Sequence, residues 1–264
     1  MKKKILVLGH KGMLGHMVAG YLEKDFTVVT LQYRWPELEF KKQIRNSDAD
    51  VIVNCIGAIP QRVKDFKVNW ELPIWLGTNF KGKVVHPSTD CEEDSDQYGV
   101  SKKKAFEWIV KESTNTKMIK ASIIGPEVSR HSSFMYWFLN NEDNQEVNGY
   151  ENHMWNGVTT YHWAIFCKEL ILNWDKYKTC TTLSSPCISK YEMCNIFNQV
   201  FGRKIIVKPF QTTIPVYTCL EGDIEVGDIT SQLKQLIEYY GDPCPYKRLQ
   251  DIFNDNQIIR SLQQ

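Results

Sequence analysis

The sequence has no run approaching the roughly 18 apolar residues of a membrane-spanning helix. It has no CxxC and no HExxH, and its six histidines form no cluster with acids at ligand spacing, so a structural or catalytic metal gets no support. It has no excess of either charge. Thirty-two Lys and Arg stand against 31 Asp and Glu, a net charge of +1. The bulk signature of a nucleic-acid binder or a polybasic membrane protein is therefore missing, and only a local patch could serve such a role. There is no internal repeat and no low-complexity tract. The opening MKKKILVLGHKG places lysines before an apolar run, but residues 5–8 are too few for a signal-peptide core, and His10 and Lys11 interrupt them.

What is present fits an ordinary globular chain. Over 264 residues, 42% hydrophobic and 24% charged, there is ample length for a buried core in one large domain or in one domain with a smaller second lobe. The cysteines, at 55, 91, 167, 180, 187, 194, 219 and 244, sit mostly among apolar or structured neighbours. They read as reduced packing residues of a cytoplasmic protein.

The first half alternates strand and helix patterns. Short apolar runs at 4–8, 26–31, 50–54, 83–86 and 118–124 predict strands buried on both faces. Helical spacing predicts helices over 13–22, 40–46, around 72–76 and over 98–112. This order predicts a Rossmann-type α/β fold, a doubly wound parallel sheet covered by helices, with a smaller C-terminal α+β lobe. Past Gly125-Pro126 the periodicity weakens through 132–157. A helix resumes over 161–173, a strand over 179–183, and a helix over 189–201 with Ser189 as N-cap and Gly202 as stop. A short strand over 205–207 precedes a Pro-punctuated region. The expected division is 1–124 with 158–186 as the dinucleotide-binding domain, and 125–157 with 187–264 as the substrate lobe.

Gly9-His10-Lys11-Gly12-Met13-Leu14-Gly15 follows the first strand and opens the first helix. Glycines at this spacing allow a tight turn, a close backbone approach to a pyrophosphate and close helix packing, while the helix N-terminus offers free N–H groups to phosphate. The same three glycines alone would also suit a bare structural turn. The predicted second strand runs into Gln32-Tyr33-Arg34 with no carboxylate to accept from a ribose 2′-hydroxyl, whereas Arg34 and Lys11 could meet a 2′-phosphate. That favours NADPH and leaves NADH open. Both cations also read as solvated surface charges.

Tyr98-Gly99-Val100-Ser101-Lys102 puts a phenol and an ammonium on one face of a helix. A free phenol titrates near 10, and an adjacent ammonium favours the phenolate. A solvated pair is the ordinary explanation of such spacing. Ser88-Thr89-Asp90 follows the fourth strand, whose carboxyl end opens on the cofactor crevice of a doubly wound sheet. A hydroxyl there can hold a carbonyl next to Tyr98. A turn or capping role suits Thr89 taken alone.

With these motifs the chain resembles the extended short-chain dehydrogenase/reductases, and within them the dTDP-4-dehydrorhamnose reductase-like group. The carrying segments are ILVLGHKGMLG, DVIVNCIGA, KVNWELPIWLG, VVHPSTD, YGVSKKKAFE and IKASIIGPE, with HMWNGVTT and SKYEMCNIFNQVFG further on. The resemblance implies NAD(P)H-dependent reduction of the 4-keto group of a nucleotide-diphospho-6-deoxyhexose. It implies Tyr98 as general acid, Lys102 as the cation that lowers the phenol pKa and holds the nicotinamide ribose, and Thr89 as hydrogen-bond partner of the carbonyl. The turn Asn54-Cys55-Ile56-Gly57-Ala58 would pass under the cofactor, and Asn69 would support the site. Ser88 and Ser122 would lie along the sugar.

One departure bears on substrate. Family members usually carry a longer loop before the YxxxK helix; here eight residues separate Thr89 from Tyr98, with Asp90, Glu92, Glu93, Asp94 and Asp96 among them. That puts the dTDP base in doubt and keeps UDP, including UDP-linked acetamido sugars, and GDP open. Arg130 and His131 are candidates for the diphosphate, or exposed loop charges. Trp155 could stack on the base or sugar, or pack in the core. An epimerase or dehydratase of the same superfamily, and a non-catalytic dinucleotide-binding subunit, are the competing readings. The expected partners are the nucleotide sugar alone, without nucleic acid or membrane, in a chain compatible with a homodimer.

Overall fold

The structure is a computed structural model and describes residues 2–128 and 132–241. The strands are β1 (Lys4–Leu8), β2 (Thr27–Thr30), β3 (Val51–Asn54), β4 (Lys83–Ser88), β5 (Thr116–Lys120), β6 (Ile123–Ile124), β7 (Glu146–Tyr150), β8 (His153–Trp155), β9 (Val158–Thr159), β10 (Cys180–Ser184), β11 (Ile188–Ser189), β12 (Ile206–Phe210), β13 (Val216–Tyr217) and β14 (Ile224–Glu225). The helices are α1 (Met13–Leu22), α2 (Leu38–Arg45), α3 (Val68–Asn79), α4 (Gln97–Glu112), α5 (Phe134–Leu139), α6 (Thr160–Leu172), α7 (Lys190–Phe201) and α8 (Ile229–Tyr240). Two compact units form: Met1–Ala121 with Trp163–Thr182, and Ser122–His162 with Leu183–Gln264.

In the first unit the apolar run of β1 is buried almost end to end, as a strand covered on both faces must be. It pairs in parallel with β2 on one side and β3 on the other, with Ile5 opposite Val28 and Val51. β4, β5 and β10 continue beyond β3, all parallel. The order β10-β5-β4-β3-β1-β2 reverses direction between β1 and β3, and the carboxyl ends of those two strands flank the crevice where such sheets take ligands. Phe40 and Ile44 of α2 and Leu72 and Leu76 of α3 pack without exposure against Leu6, Leu8, Ile52 and Val84. Each such side chain contributes about 1.5–3 kcal/mol by leaving water.

In the second unit Ser189 and Glu192 form a reciprocal capping box on α7, and Gly202 ends the helix in the left-handed conformation. Phe197 of α7 packs on Phe138 of α5 at 5.5 Å between ring centroids. β8 is the centre of a three-stranded sheet between β11 and β13. β14 pairs in parallel with the end of β10, Leu183 opposite Ile224, bringing the parallel sheet to seven strands.

Three sequence expectations change. The strand over 118–124 is two strands, because the chain swaps partner: β5 ends beside β4, and β6 pairs instead with β9. The Pro-punctuated C-terminal region contains α8, capped by the Asp228 carboxylate accepting from Ser231 N–H at 2.9 Å and closed by Gly241. The cysteines are not all free thiols: Cys187 and Cys219 form a disulfide, Cα atoms 6.0 Å apart, just before β11 and just after β13, so it bridges the two strands that flank β8.

Candidate active site

The glycine turn is built where β1 ends. Gly9 has φ of +75°, and a Cβ there would lie 2.8 Å from the Cys55 carbonyl, so only glycine fits. A Cβ at Gly15 would lie 2.1 Å from the Gly9 oxygen. The second turn, 54–58, is tied to the first by Cys55 N–H donating to the Leu8 oxygen at 2.9 Å. The α1 N-cap is Gly12, with no side-chain cap and no acid in the first turn. The N-terminal amides of Met13 and Leu14 thus form the kind of cradle that takes a phosphate. These residues fit a dinucleotide. His10 lies buried in the same turn, and its Nδ1 has no partner among the described residues. Burial and the neighbouring Lys11 lower its pKa, which keeps the ring neutral. The sequence reading passed over it, since a histidine between two glycines carries no pattern of its own.

Under the second turn, Asn54 donates from Nδ2 to His86 Nδ1 at 3.2 Å and accepts from Ile56 N–H. Burial drives the His86 pKa well down, with Lys102 adding to the effect. The ring is neutral, with its proton on Nε2. Asn69, on α3, is held by three bonds: it accepts from Ala58 N–H at 2.7 Å, donates to the Ala58 oxygen at 3.0 Å and donates to Ser101 Oγ at 3.1 Å. It thereby locks the 54–58 turn to α4. Gly57 lies beside both Asn69 and the Lys102 ammonium; a Cβ there would stand 3.9 Å from Lys102 Nζ.

The hydroxyls meet at the carboxyl end of β4. Thr89 caps a short 3-10 turn over Asp90–Glu93, accepting from Cys91 N–H at 3.3 Å, and it donates to Asp90 Oδ1 at 2.9 Å. Thr89 lies close enough to the Tyr98 phenol to favour its ionised form. Gly99 lets α4 start against this turn, since a Cβ there would come within 2.4 Å of the Cys91 oxygen. Phe66 packs edge-on to the Tyr98 ring at 5.8 Å. Lys102 follows one helical turn on, 9% exposed.

The electrostatics differ from the sequence expectation of a lowered phenol pKa. Burial raises the Tyr98 pKa, Cys91, Asp90 and Asp96 add to that, and only Thr89 opposes it. The amine is shifted as well: burial lowers Lys102 to about 8, opposed by Glu92 and Cys91. Glu92, which the sequence places among five loop acids, is turned inward. It is 2% exposed and takes an ion pair from Lys120 at 2.8 Å.

Arg34 is exposed, and its N–H donates to Glu37 at 3.1 Å. Lys11 is exposed. In the second unit Trp155 is 5% exposed, donates from its indole N–H to Ser122 Oγ at 2.7 Å, and has Lys190 over its ring at 5.2 Å. Arg130 and His131 lie outside the described residues, as do 242–264 of the expected substrate lobe. Among the described residues no helix is long and apolar enough to cross a membrane.

No protein-family model and no curated protein matches the sequence. Solved structures do match its fold. A dTDP-4-dehydrorhamnose reductase from Clostridium acetobutylicum superposes with a TM-score of 0.70 at 18% identity, over 89% of this chain and 99% of that one. The Bacillus anthracis dTDP-4-dehydrorhamnose reductase, solved in complex with NADP, gives 0.70 at 14% identity, over 90% and 100%. The UDP-N-acetylglucosamine 4-epimerase of Bacillus cereus gives 0.65 at 16% identity, over 89% and 95%. The seven-stranded Rossmann-like fold of this chain is the fold of those nucleotide-sugar enzymes.

Proposed function

We propose that the protein is an NADPH-dependent ketoreductase of nucleotide-diphospho-4-keto-6-deoxyhexoses. The observation that carries the reading is Thr89 at the carboxyl end of β4 beside the largely buried Tyr98, with buried Lys102 one turn on, in the sheet whose switch point holds the glycine turn. A reduced nicotinamide supplies the hydride when bound. The amides of the glycine turn and the α1 N-terminus hold its diphosphate, and Lys11 and Arg34 meet the 2′-phosphate. Asn69 and the 54–58 turn present Lys102 toward the ribose. The substrate carbonyl accepts from Tyr98, and from Thr89 when that hydroxyl turns its proton away from Asp90. As the carbonyl carbon gains hydride, its oxygen takes the Tyr98 proton and becomes a hydroxyl. A phenol whose pKa is raised by burial starts in the protonated state, as a general acid must.

The sugar-nucleotide role falls to the second unit, with Ser122, Trp155 and Arg130 as its candidates. The bonded Trp155–Ser122 pair suits a wall of the pocket better than a free stacking plate. A cytoplasmic setting and a homodimer belong to the same reading, and the Cys187–Cys219 link is the feature that speaks against the former.

The test is direct. The protein is mixed with NADPH and the dTDP, UDP or GDP forms of a 4-keto-6-deoxyhexose, and nicotinamide absorbance is followed. Consumption with one of them is expected; none with any sinks the proposal. Tyr98→Phe is expected to lower turnover about 10²-fold or more while retaining NADPH binding, since only the proton donor is lost. The epimerase likeness supports a second reading in which the hydride is returned to the substrate. Purified protein carrying non-exchanging NAD+ would favour it.

A further inference from the structure

We propose that Glu92 is a positioning residue of this site: its buried carboxylate ties the carboxyl ends of β4 and β5 together, fixes Thr89, and supplies the negative charge that faces Lys102. The inference rests on the reductase reading for its catalytic meaning, and on geometry for the rest.

Ser88 and Lys120 are direct neighbours in the parallel register of β4 and β5. Glu92 returns from the 3-10 turn to cap both. Its Oε1 accepts from Ser88 Oγ, and its Oε2 accepts from Lys120 Nζ at 2.8 Å. Thr89 is therefore fixed between Ser88, which Glu92 holds, and the 3-10 turn that carries Glu92, while its hydroxyl is bonded to Cys91 N–H and Asp90. A shift of this carboxylate moves the hydroxyl.

The charge has a second effect. The titratable groups that face Lys102 among the described residues are Glu92 and Cys91 from the 3-10 turn and His86 from β4, with Tyr98 on its own helix. His86 is neutral and Cys91 is a thiol whose pKa is pushed up to about 12, so Glu92 is the anion in this set; burial raises its own pKa, and the Lys120 ammonium at 2.8 Å opposes that rise. Lys120 shares that anion, and its ammonium is anchored over the Phe106 ring at 5.4 Å. Burying a carboxylate costs desolvation that an apolar side chain would avoid, so an ion pair here is not explained by stability alone. Its place, in the turn that Thr89 caps and tied to the strand end that carries Thr89, is explained by the site.

The experiment measures the Lys102 titration in the cofactor-free protein by NMR of 13C-labelled lysine, with Lys102→Met assigning the signal. In Glu92→Gln the Lys102 midpoint is expected to move to lower pH by about half a pH unit or more, because the anion that favours the ammonium is gone. The alkaline limb of the kcat/KM profile should move with it. A filler of the loop would change stability and leave both midpoints in place, and that result overturns the proposal. If Glu92→Gln does not fold, Glu92→Gln is combined with Lys120→Met; the Lys102 midpoint must then lie below that of Lys120→Met alone, because only the anion differs between the two. The NMR titration needs no substrate, so a protein that reduces no keto-sugar can still pass or fail this test.

Discussion

Lys102 illustrates how the single residue carries both stability and chemistry. An unfolded lysine titrates near 10.4, and the folded one at about 8. Between those values the unfolded chain binds a proton that the native chain does not, so stability rises with pH across that window; below about 8 the full penalty is in place. Lys102→Met should therefore raise native stability at neutral pH by roughly 1–3 kcal/mol. The gain should fade as pH climbs from 8 toward 10.4, as thermal denaturation of the cofactor-free protein at several pH values would record. The same variant should lose reductase turnover. A gain that stayed constant with pH would mean that Lys102 is not a buried amine of depressed pKa. At this scale Thr89, Tyr98 and Lys102 were legible from spacing, since i and i+4 share a helix face and the strand end precedes the turn. The inward turn of Glu92 was not, because five acids in eight residues read as a solvated loop and only register with β5 reveals the cation waiting for one of them.

Among the elements, the three-stranded sheet of the second unit shows where periodicity fails. β11 and β13 are two residues each and β8 is three, too short for an alternation to register. Asn156 joins their ends by side chain, accepting from Leu220 N–H at 2.8 Å and donating to the Leu220 oxygen at 2.7 Å, while its own carbonyl accepts from Ser185 N–H. The Cys187–Cys219 disulfide closes a separation of 32 residues around the same point. Chain entropy assigns a loop of that size about 3–4 kcal/mol, less whatever Asn156 already restrains. Reductant should lower the melting temperature of the wild type, and Cys187→Ser with Cys219→Ser should abolish that sensitivity. An equal response of both proteins to reductant would remove the bond from the account. α8 was legible in principle: Ile229, Leu233 and Leu236 recur at helical spacing behind an Asp N-cap, and the Pro residues around it masked the pattern.

For the molecule as a whole, the first unit was readable because its strands are short, mostly apolar runs alternating with helices, and parallel order follows from that alternation. The second unit is assembled from contacts distant in sequence, such as β7 with β12, and no local pattern announces them. A dinucleotide that binds the native state alone raises the apparent stability by about 2.7 kcal/mol at one hundred times its dissociation constant. NADPH should therefore raise the melting temperature in proportion to the logarithm of its concentration, and NADH should do so less if Lys11 and Arg34 meet the extra phosphate. Equal shifts by the two would remove those cations from the cofactor reading. Gly15→Val should abolish both shifts, because the branched side chain has no room against the Gly9 carbonyl.

The bond from Cys55 to Leu8 and the bare Cα of Gly9 pressed on the Cys55 carbonyl make one rigid joint out of two loops that are more than forty residues apart in the chain. If the first loop takes the diphosphate as proposed, it also sets the height of the floor that the second loop would make under the other end of the dinucleotide. On that reading, tightness at the diphosphate and aim at the reactive ring are coupled, and a substitution that loosens either loop should degrade both together.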